Sequence, residues 1–284
     1  MSTLTPAQAA LRPELVYPDY HIYQLRPDYY KIVRFESTAP RCGRVIQRCP
    51  DGFRHDDKLP AAISRARRIC LELALANDWK WFCTFTIAQN NFDRKNLDGF
   101  YKRFREWFKY QGEKIGKKLP YLLVPEQHGD GSWHMHGFLT ADIDPFLVSF
   151  EDQYEAGADV PLKLVRGGYY NWPAYQKRFG FCSLGLIRDP IACGHYVTKY
   201  ISKSFLGDSR KVGLDLYFCS HGLNRAQLQG EIYGRSAEFD SMLQSKFEWC
   251  ATGFVRTGTS FGDYDMHDLI DDHGACLVPL DLDE

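Results

Sequence analysis

Gly129-Asp130-Gly131 lies between two short apolar runs, and this pattern constrains the fold more than any other in the sequence. Glycine readily adopts the backbone conformations of tight turns, so the pattern predicts a β-hairpin with strands over residues 121–128 and 133–140. A three-residue loop would place Glu126 directly opposite His134, and opposed residues share a face of the sheet. A two-residue Asp-Gly turn would shift the register by one residue and turn Glu126 to the other face.

His134 and His136 lie two apart in the second strand of this hairpin. Side chains alternate along a strand, so both imidazoles share a face while Met135 points to the other. With the three-residue loop, Glu126 joins them and His128 lies nearby. Two imidazole nitrogens and one carboxylate form a candidate site for a divalent ion, Mg²⁺ or Mn²⁺, with positions left for substrate and water. The alternative is a pair of histidines on a solvated strand face.

A helix predicted over residues 190–205 carries two tyrosines and two lysines. Tyr196, Tyr200 and Lys203 are spaced four and three residues apart, so they lie along one stripe of the helix. Lys199 and Lys203 supply ammonium groups that favour phenolate or hold a phosphate. The alternative is that the tyrosines simply pack against each other at helical spacing.

The rest of the pattern predicts the α+β class, with helices on one face of an antiparallel sheet. Helical spacing of apolar residues marks residues 61–77 and 93–117, and runs of β-forming residues mark strands over 79–88 and 181–187. The predicted division of the chain is an irregular Pro/Tyr-rich arm (1–60), a central domain (61–218) and a C-terminal extension with an acidic tail (219–284).

The net charge of −1 conceals oppositely charged segments. Residues 93–118 carry a local charge of +5 and residues 162–211 carry +7, whereas residues 263–284 carry −8. Basic segments of this kind permit a polyanionic partner. The acidic tail is expected either to cover that basic surface or to be a plain solvated tail.

Composition restricts the cellular setting. No apolar run approaches the roughly 18 residues of a membrane-spanning helix, so no membrane partner is expected. The first residues lack a basic region followed by an apolar segment, so no secretory signal is expected either. The nine cysteines include no Cys-x-x-Cys pair, which favours reduced thiols and a cytoplasmic location over a disulfide scaffold.

Together, the candidate metal site and the tyrosine helix indicate one reaction. The metal polarises a phosphodiester, a tyrosine oxygen attacks phosphorus, and the 3′ oxygen leaves. The product is a 5′-phosphotyrosine link and a free 3′ hydroxyl.

These residues resemble the HUH endonucleases that initiate rolling-circle replication. His134-Met135-His136 is similar to the family's His-hydrophobic-His metal motif, and Glu126 is similar to its third ligand. Tyr196-x-x-x-Tyr200-x-x-Lys203 resembles the two-tyrosine motif of initiators (Rep proteins) from small single-stranded DNA phages. The strand at residues 83–86 resembles the family's first motif, and the whole resemblance spans residues 79–205.

The resemblance implies a ferredoxin-like central sheet with the tyrosine helix beside the metal site. It implies site-specific nicking of single-stranded DNA at a replication origin, followed by strand transfer or ligation. The chain lacks a GxxxxGK[ST] motif, so unwinding is expected to need a host helicase, alongside a host polymerase.

Two other functions remain open from the sequence. One is a metalloenzyme unrelated to DNA that uses two histidines and a carboxylate, although that class usually carries His-x-Asp or His-x-Glu. The other is a catalytically silent DNA-binding protein of the same fold.

Overall fold

The computed structural model describes residues 18–35, 58–89, 92–205, 215–246 and 250–256, with the backbone alone at 58–61, 202–205 and 245. Most of the arm expected over residues 1–60 and the whole acidic tail from Asp263 lie outside these ranges. Within them, the chain forms two compact units, which are residues 18–35 with 224–256 and residues 58–223.

The described elements are numbered in chain order. The strands are β1 (Tyr20–Arg26), β2 (Tyr29–Phe35), β3 (Trp81–Thr86), β4 (Tyr121–Gln127), β5 (Trp133–Leu139), β6 (Val148–Ser149), β7 (Tyr170–Asn171), β8 (Cys182–Leu186), β9 (Phe218–Cys219), β10 (Gln227–Ile232), β11 (Ser245–Lys246) and β12 (Cys250–Arg256). The helices are α1 (Lys58–Ala76), α2 (Leu97–Lys114), α3 (Phe150–Glu155), α4 (Leu162–Arg166), α5 (Pro173–Arg178), α6 (Pro190–Phe205) and α7 (Ala237–Ser241), with a 3₁₀ helix over Ala141–Phe146.

The smaller unit is a five-stranded antiparallel sheet in the order β10-β1-β2-β12-β11. Its core packs the buried side chains of Tyr20, Ile22 and Ile32 against Phe239 of α7. The Tyr20 hydroxyl donates to Asp240 Oδ1 at 2.7 Å, and Arg34 Nη1 donates to the same oxygen at 2.6 Å. Strands from the expected N-terminal arm and from the expected C-terminal extension therefore share one sheet, which the sequence analysis did not anticipate.

The larger unit is a seven-stranded sheet in the order β6-β7-β8-β3-β5-β4-β9, and the pairs with described register are antiparallel. The predicted α+β class, with an antiparallel sheet and packed helices, is confirmed. The arrangement is consistent with a ferredoxin-like sheet. None of the described helices is long and apolar enough to cross a bilayer.

Helices pack on both faces of the larger sheet. Phe104 of α2 contacts Phe85 on one face, with ring centroids 5.6 Å apart. On the other face, Tyr200 of α6 stacks on His136 at 4.1 Å. The expectation of helices on one face only was wrong. The physical reason is that β4 and β5 bury apolar side chains on the histidine face as well, among them Leu122 and Phe138, and these need cover.

The β4–β5 hairpin has the register that the three-residue loop predicts. The His128 backbone N–H donates to the Ser132 carbonyl at 2.8 Å, which leaves residues 129–131 as the loop. Gly131 has φ +85°, a conformation that favours glycine. Glu126 lies directly opposite His134, so the register predicted from the loop is confirmed.

Asp130 fixes this loop from within. Its carboxylate accepts hydrogen bonds from the Ser132 hydroxyl at 2.6 Å and the Ser132 backbone N–H at 2.9 Å. These bonds lower the pKa of Asp130 to about 2. The loop is therefore held by local hydrogen bonds as well as by glycine.

We expect Gly137→Ala in β5 to destabilise the larger unit by about 1–3 kcal/mol. A Cβ at this position would lie 1.9 Å from the Leu122 carbonyl oxygen on β4, so the two strands would have to separate. Gly129→Ala is the matched control, because its Cβ would meet nothing within 4 Å. Urea unfolding of both variants checks this, and equal stabilities would contradict the close strand contact.

Candidate active site

Glu126 and His136 form a buried polar pair on the face that α6 covers. Glu126 is 5% exposed and His136 is 7% exposed. The His136 Nε2 atom lies 2.8 Å from Glu126 Oε2, and its Nδ1 atom lies 3.1 Å from the Thr84 hydroxyl. Both ring nitrogens therefore have polar partners, which fixes the orientation of the imidazole.

His134 lies on the same face and is only half-buried. Its ring centroid is 4.0 Å from that of His128, which is exposed at the end of the hairpin. Burial, with help from the neighbouring histidines His128 and His136, lowers the pKa of His134 to about 4. The imidazole is therefore neutral near pH 7, the form that binds a metal ion.

The predicted ligands share one face, and their chemistry fits a divalent ion. Two imidazoles and a carboxylate are nitrogen and oxygen donors of the kind that bind Mn²⁺ and related metals. Within the described ranges, no three His, Cys, Asp or Glu side chains are arranged as a metal-binding group. Glu126 and His136 contact each other at 2.8 Å, so holding a cation between them would require this contact to open.

Helix α6 brings the tyrosines to the same place. Asp189 caps its first turn by accepting from the backbone N–H groups of Ile191 and Ala192 at 2.9 and 3.0 Å. Val197 and Ile201 are fully buried in the core. This apolar stripe holds the helix on the sheet and leaves the tyrosine stripe beside the histidines.

Tyr200 and Tyr196 form a hydrogen-bonded pair next to His136. The Tyr200 ring stacks on His136 with an interplanar angle of 7°, and its hydroxyl donates to the Tyr196 hydroxyl at 2.5 Å. Tyr196 is 48% exposed and its ring lies 5.7 Å from that of Phe82. The tyrosines thus pack together, as the structural alternative expected, and they also lie beside the candidate metal ligands.

The environment of Tyr200 keeps its phenol protonated. Burial, the hydrogen bond to Tyr196 and the nearby charge of Glu126 all raise the pKa of Tyr200. A neutral phenol is a weak nucleophile, so attack by either tyrosine needs a group that withdraws or accepts the proton.

The two lysines differ in what can be said of them. Lys199 is exposed on α6, and no described hydrogen bond or ion pair joins it to Tyr196 or Tyr200. The side chain of Lys203 lies outside the described part of the helix. Both remain predicted, rather than observed, partners of a phosphate.

Thr84 and Phe82 of β3 belong to the site, although sequence reasoning gave neither a role. Thr84 pairs directly with His136, and Phe82 lies between Gly185 of β8 and Phe138 of β5. The strand motif at residues 83–86 was noticed, but the neighbour of β3 in the sheet cannot be read from a local pattern. Only the strand order supplied it.

Comparison with known proteins gives one match. Residues 80–205 match the family model of the replication-associated protein ORF2. This segment runs from β3 through α6 and contains Glu126, His134, His136 and both tyrosines. It covers less than half of the chain and supports a role in DNA replication. No curated protein and no solved structure matches the chain.

We expect the His134 imidazole of the metal-free protein to titrate near pH 4 rather than near 6.5. Between these values the unfolded chain binds a proton that the folded protein does not. His134 therefore makes the free energy of unfolding fall as the pH drops through this window. Histidine side-chain NMR measures the midpoint, with His134→Gln to assign the resonance. A midpoint near 6.5 would contradict the buried environment.

Proposed function

We propose that this protein initiates rolling-circle DNA replication by nicking single-stranded DNA at an origin. The observation that carries the proposal is the stack of Tyr200 on His136, with Tyr196 hydrogen-bonded to Tyr200 and Glu126 in contact with His136. Two candidate nucleophiles lie directly beside a candidate metal site. The family match over the same residues supports a replication protein.

Glu126, His134 and His136 are the residues that would hold a divalent ion, Mg²⁺ or Mn²⁺. When bound, such an ion supplies charge that polarises the scissile phosphodiester and stabilises the leaving oxygen. The Thr84 hydroxyl orients His136 for this task, as outer partners of metal-binding histidines commonly do.

A tyrosine oxygen attacks phosphorus in the proposed step. The bond from phosphorus to the 3′ oxygen breaks, a bond from phosphorus to the tyrosine oxygen forms, and the phenolic proton leaves while the 3′ oxygen gains one. Tyr196 is the better placed first nucleophile, because it is exposed to substrate and its oxygen accepts the hydrogen bond from Tyr200. Lys199 and Lys203 would hold the phosphate or favour phenolate.

The second phenol gives the reaction its closing step. While one tyrosine holds the 5′ end, the other can attack the junction made after a round of synthesis and release a joined strand. Host helicase and polymerase would supply unwinding and copying. The proposed partners are therefore single-stranded origin DNA and these host enzymes.

We expect Tyr196→Phe and Tyr200→Phe each to retain some nicking, with the larger loss in Tyr196→Phe, and the double variant to lose it. Each phenol can reach the same phosphate, so one can replace the other in part. The assay detects a covalent adduct between the protein and labelled circular single-stranded DNA on a denaturing gel. Tyr110→Phe on α2 is the control, since its ring lies away from the site. If the double variant still forms the adduct, the nucleophile is another residue.

We expect His136→Ala and Glu126→Gln to abolish cleavage that depends on Mg²⁺ or Mn²⁺ while leaving DNA binding largely intact. Phosphate contacts come mainly from basic residues, so binding does not need these ligands. His195→Ala is the matched control, because His195 is exposed on α6. Cleavage by wild type without metal would overturn the metal role. Binding by wild type with no cleavage under any metal would indicate a silent DNA-binding protein.

A further inference from the structure

Tyr169 follows α4 and places its ring over the backbone of β8. A Cβ on Gly185 of β8 would lie 2.9 Å from Tyr169 Cε1, and a Cβ on Gly167 would lie 2.5 Å from Tyr169 Cε2. The ring therefore occupies space that exists because both neighbours are glycines. It is nevertheless 37% exposed, so it is held in position and still accessible.

The backbone of Tyr169 is held as firmly as its ring. Its N–H donates to the Leu164 carbonyl at 3.0 Å, and its own carbonyl accepts from the Phe150 N–H at 3.0 Å. Gly168, with φ +65°, makes the turn that leads out of α4. An aromatic ring fixed in this way loses little conformational entropy when it binds a ligand.

Strand pairing places this ring on the histidine face of the sheet. Gly185 lies directly opposite Phe82, and Phe82 lies opposite Phe138 on β5, the strand that carries His136. Directly opposed residues share a face. With neighbouring strands about 4.8 Å apart, β8 lies about 10 Å across the sheet from the histidine strand.

The surface between Tyr169 and the histidines is partly open and polar. Ser183 of β8 and Thr84 of β3 are directly opposed on this face, and both are only half-buried. Phe82 lies beside them and contacts the exposed ring of Tyr196, with centroids 5.7 Å apart. An aromatic ring, two hydroxyls and the exposed tyrosine thus follow one another toward Glu126 and His136.

We propose that Tyr169 is a base-stacking platform for single-stranded DNA, which holds a nucleotide a short distance from the phosphate that Tyr196 attacks. The inference rests on the proposed function, because it assumes DNA at the tyrosines. Stacking on an aromatic face suits single-stranded DNA, since every base presents such a face. The hydroxyls of Ser183 and Thr84 suit the sugar-phosphate backbone between the two points. Tyr169 is a positioning residue in this scheme, because it touches no reacting atom.

The first test compares binding of a labelled single-stranded oligonucleotide by matched tyrosine variants. We expect Tyr169→Ala to weaken binding by about 5- to 100-fold, the range that loss of one base stack gives, while Tyr169→Phe and Tyr169→Trp bind like wild type. Tyr110→Ala is the control, because Tyr110 is 55% exposed on α2, the helix on the opposite face. In nicking assays the substrate concentration for half-maximal rate should rise with little change in the maximal rate. Unchanged binding in Tyr169→Ala overturns the inference.

A second test does not depend on how well the alanine variant folds. Single-stranded DNA containing 5-iododeoxyuridine is irradiated with the wild-type protein, and the cross-linked peptide is identified by mass spectrometry. We expect the cross-link at Tyr169, and we expect Gly185→Ala, which displaces the ring, to reduce it. Cross-links at Tyr110 and none at Tyr169 would overturn the inference.

The two proposals fail in different ways. If wild type nicks DNA through Tyr196 or Tyr200 but Tyr169 neither cross-links nor affects binding, only the platform is wrong. If Tyr169 cross-links and supports binding but no covalent tyrosine adduct forms, the proposed nicking reaction is wrong, and the platform belongs to a DNA-binding protein.

Discussion

The pairing of β4 with β5 through the loop at residues 129–131 is the constraint on which the rest of the site depends. This register puts Glu126 opposite His134 and turns both toward the face that carries His136. A shift by one residue would send the carboxylate to the α2 face and bury it among aromatic rings. The hydrogen bonds from Ser132 to Asp130 and the positive φ of Gly131 hold the loop at the length that prevents this shift.

A second layer of structure depends on α6 lying over this hairpin. Val197 and Ile201 supply the apolar contact, and the stack of Tyr200 on His136 supplies the contact that matters for chemistry. The pair of Glu126 and His136 is buried beneath it and bonded to Thr84 on the far side. Removing one partner from a buried polar set of this kind costs about 1–3 kcal/mol. The same contacts that stabilise the packing of α6 therefore orient the proposed ligands and nucleophiles.

The family match and the fold divide the chain at similar places. Residues 80–205 lie wholly in the larger unit, and the smaller sheet, built from both ends of the described chain, lies outside the match. A replication initiator has to recognise an origin as well as cut it. The proposed Tyr169 platform keeps contact with bases inside the larger unit, on the same sheet as the proposed metal ligands.

The sequence by itself determined the local features of this protein. The hairpin, the shared face of Glu126 with His134 and His136, and the start of α6 at Pro190 all follow from turn chemistry and periodicity over a few residues. Segment boundaries were less accurate, as at α2, which begins at Leu97 after Asn96 caps it rather than at residue 93. The side chain of a capping residue decides such an end, and periodicity does not reveal it.

Only the tertiary structure decided which of these features meet. Thr84 and His136 are 52 residues apart, and Tyr200 lies still further along the chain from its partner Glu126-His136. The cover on the second face of the sheet, the pairing of β1 and β2 with β10 and β12, and the ring of Tyr169 over Gly185 are likewise contacts between distant segments. Local propensity is set by neighbouring residues, whereas these contacts are set by which apolar faces must be buried together, and that depends on the whole chain at once.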